Sequence, residues 1–537
     1  STLGGAVTLA GAASVGSDWI NATSGGSAGG DITLSGAISG AFLLTKVGNN
    51  ALTLTGANTQ SGLTITQGTV VISGASGAAG SGGNVSVNSS GFNGLLPLNV
   101  LTLANGSAAS SLRLGGATAA RSVLLQGAAL TISGNASTAV NEAIGAGTIQ
   151  INNGFSLITL AGAGTNVQLS GTSATFFNRG SPGAGTLLLR GTHLGLNDTD
   201  TATAAPGATN TSVVSSTTQT LFVGSATATN GDSAFRVIPW IVIDPSATGT
   251  GTSASAQFGT YDATAANGFR PLIASSETTI AFTAGKNVRL TGALTVGAAA
   301  TTMTATSVNS LTFESGGGLT IADYRTLTNA SGGILAKTSA TIATTGSGIG
   351  KGALFGNSNT EAVIFVFGAA NTLTIEAPVG GALAPSTGGL TLSGNGKLVL
   401  ASTTGNNYGG TTTVQLGTLQ LGAAAPDNAL SFKFATSSGI GGSTSAISLN
   451  ALVSNGGIFD LNGHSQSTLL LSRGTLPGSG GVITNTATGS AVNLTHVQDG
   501  NNREFAGQLN GNLNLRATGL GTTTLRDNNQ FTGNATI

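Results

Sequence analysis

The chain has 537 residues, zero formal net charge at pH 7, 7% charged residues, 39% hydrophobic residues and no cysteine. That excludes a basic surface able to draw nucleic acid or anionic lipid over long range, as well as disulfides and thiolate metal sites. The apolar content is too high for a disordered linker, while 86 glycines and only 4% aromatics suit a narrow interior filled by small aliphatic side chains.

From the start, Ser1-Thr2-Leu3-Gly4-Gly5, the chain lacks an initiator Met and a signal-peptide pattern. No apolar run reaches the roughly 18 residues that span a bilayer. The expectation is a segment of a longer polypeptide. Apolar pairs then recur at period two: Leu52/Leu54, Leu63/Ile65, Leu130/Ile132, Ile149/Ile151, Leu373/Ile375, Leu390/Leu392 and Leu398/Leu400. Thr or another small residue usually separates them. This alternation predicts short strands with one buried face, about three to five residues long, and Thr, Val and Ile favour the extended backbone. Gly interrupts almost every window that could be helical.

Midway the rhythm breaks. Between Asn197 and Ile273 lie Pro206, Pro239, Pro245 and Pro271 and an apolar run, Val237-Ile238-Pro239-Trp240-Ile241-Val242-Ile243. Pro is confined to edges and corners of sheets. Residues 197–235 are therefore expected to form a loop excursion, with 236–244 returning as a buried strand and Trp240 in the core. Loops on a rigid scaffold usually carry specificity, so this excursion is the first place to seek a binding face.

One phrase repeats. Its first copy runs Gly48-Asn49-Asn50-Ala51-Leu52-Thr53-Leu54, then Asn58-Thr59-Gln60-Ser61-Gly62, then Thr64-Ile65-Thr66-Gln67-Gly68-Thr69-Val70-Val71-Ile72. The second runs Gly394-Asn395-Gly396-Lys397-Leu398-Val399-Leu400, then Asn406-Asn407-Tyr408-Gly409-Gly410, then Val414-Gln415-Leu416-Gly417-Thr418-Leu419-Gln420-Leu421. A third begins at Gly519-Leu520-Gly521, carries Asn529-Gln530-Phe531-Thr532-Gly533 and stops at Ile537. Self-similarity of this kind marks a solenoid, whose units bury their apolar faces only against neighbours. Hairpin signals between matched alternations are lacking. The fold expected is all-β: a parallel β-helix continuous over 1–537, a single elongated rod turning about every 20 to 25 residues. At about 4.8 Å per rung it would be on the order of 100 Å long.

The phrase resembles the autotransporter-associated β-strand repeat, also called the passenger-associated transport repeat, of Gram-negative surface and secreted proteins. The copy at 394–421 fits best. The copy at 48–72 has Gln60 where an aromatic is expected, and the copy from Gly519 keeps Phe531. The residues carrying the resemblance are Gly48, Asn58, Gly62, Gly68, Gly396, Asn406, Tyr408, Gly410, Gly417, Gly521, Asn529, Phe531 and Gly533. The resemblance implies a right-handed coil, export to the cell exterior, and structural or adhesive work there.

Catalytic constellations are thin. His193, His464 and His496 lie far apart in sequence. Asn197-Asp198-Thr199-Asp200 would make a cation site or half of an acid/base pair, and reads more simply as a solvated turn. Asp460-Leu461-Asn462-Gly463-His464 reads the same way, with Asp460 and Asn462 outward and Asn462-Gly463 turning. Gly29-Gly30-Asp31-Ile32 is a lone fragment of a calcium-binding nonapeptide, and Gly316-Gly317-Gly318 lacks the Lys-Ser/Thr of a phosphate loop. A ladder of outward Thr would suit ice or a crystalline polysaccharide. Thr53/Thr55, Thr64/Thr66 and Thr411/Thr413 give the local pattern, but their irregular spacing argues against a continuous ladder.

No cofactor, metal or catalytic residue is expected. Neither 1–15 nor 526–537 reads as a polar cap, so the partners expected are further copies or adjacent segments stacked end to end, with a glycan or cell-surface ligand as another partner. The reading is a non-catalytic extracellular structural or adhesive protein, part of a long fibre or filament. An autotransporter-type adhesin passenger with a defined ligand is the alternative, and a pectin-lyase-like enzyme is the alternative of another class.

Overall fold

Alternation decides which way each strand faces. Along Ala51–Leu54, Leu52 and Leu54 are wholly buried while Ala51 and Thr53 stay half-buried outside. The same pattern recurs in Thr69–Ile72, Val100–Leu103, Thr372–Ile375, Lys397–Leu400 and Thr418–Leu421. The structure is a computed structural model, and all its regular elements among the described residues are strands. It describes residues 1–537 apart from 18–29, 117–119, 180–184, 196–209, 218, 224–227, 230, 263–267, 299–303, 346–352, 355–360, 381–387, 407, 409, 431, 434–447, 450–451, 455 and 469–480. The chain divides into two compact units: Ser1–Phe222 with Trp240–Leu272, and Val223–Pro239 with Ile273–Ile537.

In the first unit, strands feed two large sheets in alternation. Leu43–Val47, Gly62–Ile65 and Val85–Asn88 pair parallel in one, while Ala51–Leu54, Thr69–Ile72 and Val100–Leu103 pair parallel in the other. Parallel pairing in register puts like above like. Leu52 lies beside Val70, followed in order by Leu101, Leu130, Ile158, Leu189 and Ile243. All seven are fully buried, and each contributes about 1.5–3 kcal/mol by leaving water. The spacing is less regular than the sequence suggests: 18 residues separate Leu52 from Val70, 31 separate Val70 from Leu101, and 54 separate Leu189 from Ile243. The strands of the column run only from four to seven residues, so most of the variation in spacing falls in the connections between them.

Antiparallel pairing also occurs, against expectation. Gln257–Asp262 and Gly268–Pro271 form an antiparallel pair inside the larger sheet, between Ile238–Asp244 on one side and Thr211–Ser215 on the other. Beneath it the interior is aromatic rather than aliphatic. The rings of Phe177 and Phe269 are 4.7 Å apart and those of Tyr261 and Phe269 4.9 Å apart, with Phe176 5.3 Å from Phe177. The Tyr261 hydroxyl donates to Ser215 O at 2.5 Å. Rings supply the volume that the small stacked residues lack.

The second unit repeats the scheme. Val288, Leu311, Ile334, Ile364, Leu392 and Val414 form one inward column. Leu319, Ile342, Ile375, Leu400 and Leu421 form another, and both belong to one core cluster. The strands Val492–Phe505 and Leu513–Leu525 are far longer than the predicted three to five residues, and their pairing slips register between Asp499 and Asn502.

The expected excursion is only partly a loop. Residues 197–209, with Pro206, lie outside the described residues. Thr211–Ser215 is instead a strand in register with Val167–Gly171. Residues 232–235 lie against the first strand of the second unit: Asn287 donates its backbone N–H to Ser233 O at 2.7 Å and its amide to Phe235 O at 2.8 Å, and Lys286 pairs with Asp232 at 2.7 Å. Ile238–Asp244 is the buried strand foreseen, with Trp240 6% exposed. Leu130→Ala, at the middle of its column, is expected to destabilise the first unit by about 2–5 kcal/mol. Thr131→Ala on the outer face should stay within about 0.5 kcal/mol, and urea denaturation of the two variants distinguishes these outcomes.

Candidate functional site

The repeat residues lie in and beside the connections between strands, where the asparagines clamp neighbouring segments together. Asn58 is buried; its Oδ1 accepts the Ile38 N–H at 2.9 Å and its Nδ2 donates to Ala78 O at 2.9 Å. Asn406 does the same between Val379 N–H (3.0 Å) and Ala429 O (2.7 Å). Asn529 accepts from Leu509 N–H at 2.8 Å but turns its Nδ2 to the local Asp527 O. One side chain thus ties a turn of chain to the turn before it and, in the first two copies, to the turn after it.

Two residues beyond each Asn, Tyr408 is buried with its hydroxyl 2.7 Å from Thr412 Oγ1. Gln60, in the equivalent position, is also buried and donates to Ala79 O. Phe531 packs half-buried against the second core. Gly68 and Gly417 are geometric equivalents. Their φ angles are 76° and 80°, and a Cβ would lie 2.6 Å from both Asn50 O and Gly48 O in the first, and 2.5 Å from both Gly394 O and Gly396 O in the second. Gly62, Gly396, Gly410 and Gly533 likewise lie against backbone or side chains of an adjacent turn of chain, and Gly48 and Gly521 have positive φ.

The polar residues singled out for chemistry have structural partners. Asp31 accepts the Ala51 N–H at 2.8 Å. Asp460, expected outward, is buried because it collects donors from Gln420 Nε2, Asn462 N–H, Thr486 N–H and Thr486 Oγ1. Asn462 and Gly463 do turn, with φ of 44° and 90°. His496 is buried against Thr523 Oγ1 at 2.8 Å. Asp198 and Asp200 lie outside the described residues. Among the described residues no three of His, Cys, Asp and Glu gather closely enough to hold a metal ion, and no helix is long and apolar enough to cross a membrane.

Two surface features remain. A cleft of about 420 Å³ in the first unit is lined by Thr192, His193, Ser246, Thr248 and Ser255, with His193 fixed by its N–H to Pro245 O at 3.1 Å. On the outer face of the larger sheet, Thr2, Thr33, Thr53, Val71, Thr102 and Thr131 fall in one column, spaced about 4.8 Å apart. Sequence spacing hid this ladder, because turns of unequal length separate its members and only the strand register aligns them. Conversely, Thr413 is buried rather than outward, since both faces of Thr412–Val414 are covered. Compared with protein-family models, curated proteins and solved structures, the chain matches none.

In the second unit Glu314 bridges Lys337 Nζ at 2.6 Å and Arg289 Nη1 at 2.7 Å. Partial burial opposes its ionisation, yet Lys337 and Arg289 together hold its carboxyl below the ordinary value. This stabilisation is complete above the ordinary Glu range and is lost as pH falls through the lowered folded value. The second unit's urea midpoint should therefore drop on acidification, and Glu314→Gln should flatten that dependence. Asn58→Ala and Asn406→Ala should each cost about 1–3 kcal/mol for every buried group left unpaired. Asn529→Ala should cost less, a ranking that denaturation of the three variants measures.

Proposed function

We propose that this chain is a non-catalytic structural or adhesive protein of the exterior of a Gram-negative bacterium, each unit wound as a right-handed parallel β-helix. The observation that carries the reading is the in-register parallel ladder, turn upon turn, with a column of hydroxyl side chains on its outer face. Continuous hydrogen bonding between turns resists extension, and a surface wetted by Thr, Ser, Asn and Gln rather than by charge keeps that scaffold hydrated with little dependence on salt. The resemblance of the repeated phrase to passenger-associated repeats supports export and surface display.

The Thr column also favours a glycan as the contact. Threonine hydroxyls at five of six successive positions, interrupted at Val71 and stepped about 4.8 Å apart, present donors and acceptors at a spacing suited to an extended, ordered polysaccharide, and the His193 cleft offers room for a single sugar residue. This extends the adhesin reading. The lyase reading has less behind it, because no acid/base pair is assembled among the described residues singled out.

Antibodies raised against the folded chain should label intact cells of the producing bacterium; labelling only after lysis overturns the surface assignment. In co-sedimentation with insoluble polysaccharides, Thr53→Lys/Thr102→Lys should lose binding while its circular dichroism stays that of the parent. Release of new reducing ends from polygalacturonate by the purified chain would replace the proposal with the enzyme reading.

A further inference from the structure

Among the buried charged groups of the first unit, two arginines and a glutamate lie close together in the fold. Arg113 is fully buried with every nitrogen engaged: Nε to Asn105 Oδ1 at 2.9 Å, Nη1 to Gly77 O at 3.2 Å, and Nη2 to Gly74 O at 3.0 Å and Ala108 O at 2.9 Å. Glu142, on the strand Val140–Ala143, is also fully buried, and its Oε1 accepts the Leu114 N–H at 2.5 Å. Its Oε2 meets no donor. Arg121 is 1% exposed, and none of its three guanidinium nitrogens has a hydrogen-bond partner among the described residues.

Arg121 has no easy retreat. The next residues run into the strand Val123–Gln126, where Val123 N–H is bonded to Thr148 O at 2.9 Å. Gly147 presses against the Arg121 backbone so closely that a Cβ there would collide with it. Both guanidiniums are near enough to interact electrostatically with the one Glu142 carboxylate, so this buried cluster carries a net positive charge, and an uncompensated buried ion is strongly unfavourable. Arg113 is saturated by neutral carbonyls and an amide. The unmet demand therefore sits on Arg121, which presents five N–H donors in a planar fork.

We propose that the interior beside Arg121 is a binding site for one small monovalent inorganic anion of the halide class, held by the Arg121 guanidinium. A single negative charge neutralises the excess, and a monatomic ion accepts several N–H groups without requiring the planar match of a larger oxyanion. Burial also pushes the Glu142 carboxyl up to about 7, against the opposing backbone N–H groups of Leu114 and Arg113 and the charges of Arg113 and Arg121; this thins the native negative charge beside the two guanidiniums. The site is independent of the outer hydroxyl face and of any surface ligand.

The test uses the full chain with bromide as probe. Crystals grown in bromide should give one anomalous peak within hydrogen-bonding distance of the Arg121 guanidinium. At fixed ionic strength, with bromide replacing a bulky organic anion, the thermal midpoint should rise by a few degrees. Arg121→Gln should abolish that rise. Should Arg121→Gln fail to fold, Glu142→Gln provides the second arm: with its carboxylate removed, bromide should stabilise it at least as strongly as the parent. No peak at Arg121, a direct Arg121–Glu142 ion pair in bromide-grown crystals, an unchanged bromide response in Arg121→Gln, or loss of the response in Glu142→Gln would each overturn the proposal.

Discussion

Parallel hydrogen bonding between one turn of the chain and the next is the constraint on which everything else rests. Because the pairing is in register, a residue that faces inward in one strand faces inward in all the strands beside it. The series from Leu52 to Ile243 is one result. The outer series from Thr2 to Thr131 is the other. Core and surface are thus two faces of one ladder, and a slip of one residue would exchange them throughout.

A ladder of this kind leaves its corners to be solved separately, since backbone groups there leave the sheet and still need partners. Buried amides provide them. Asn58 and Asn406 each reach backward and forward along the stack, and Asn99 accepts from Gly68 N–H while donating to Thr66 O. Lys46 is a cationic version: its buried ammonium is held by the carbonyls of Val47, Gly48 and Gln67. The few charged residues of the chain are thus used in part where neutral carbonyls would otherwise go unmatched.

Much of this was legible in the sequence. Period-two alternation announced the strands because each needs only one apolar pair to be placed, and the repeated phrase announced stacking; Gly68 and Gly417 occupy matching niches as their matching positions in the phrase imply. What escaped depended on distances along the chain that carry no local signal. The Thr column is invisible where its members are separated by turns of varying length, and the strand Thr211–Ser215 was obscured by the Pro- and Thr-rich surroundings that suggested a loop. Asp460 was misjudged because its four donors come from three separated stretches. The aromatic filling beneath Gln257–Asp262 was equally unforeseeable, since Phe176, Phe177, Tyr261 and Phe269 meet only once that antiparallel pair has formed.

The chain is interleaved between its two units: 223–239 belongs to the second, yet 240–272 returns to the first. Neither unit is therefore a contiguous stretch of polypeptide. During synthesis, residues 1–222 emerge without the strand and antiparallel pair that belong to their sheet, and must wait for the 17 residues 223–239, which belong to the other unit, to pass. Such threading couples the maturation of the two bodies in time, and a simple truncation at 222 would release an unfinished, adhesive edge rather than a smaller native protein.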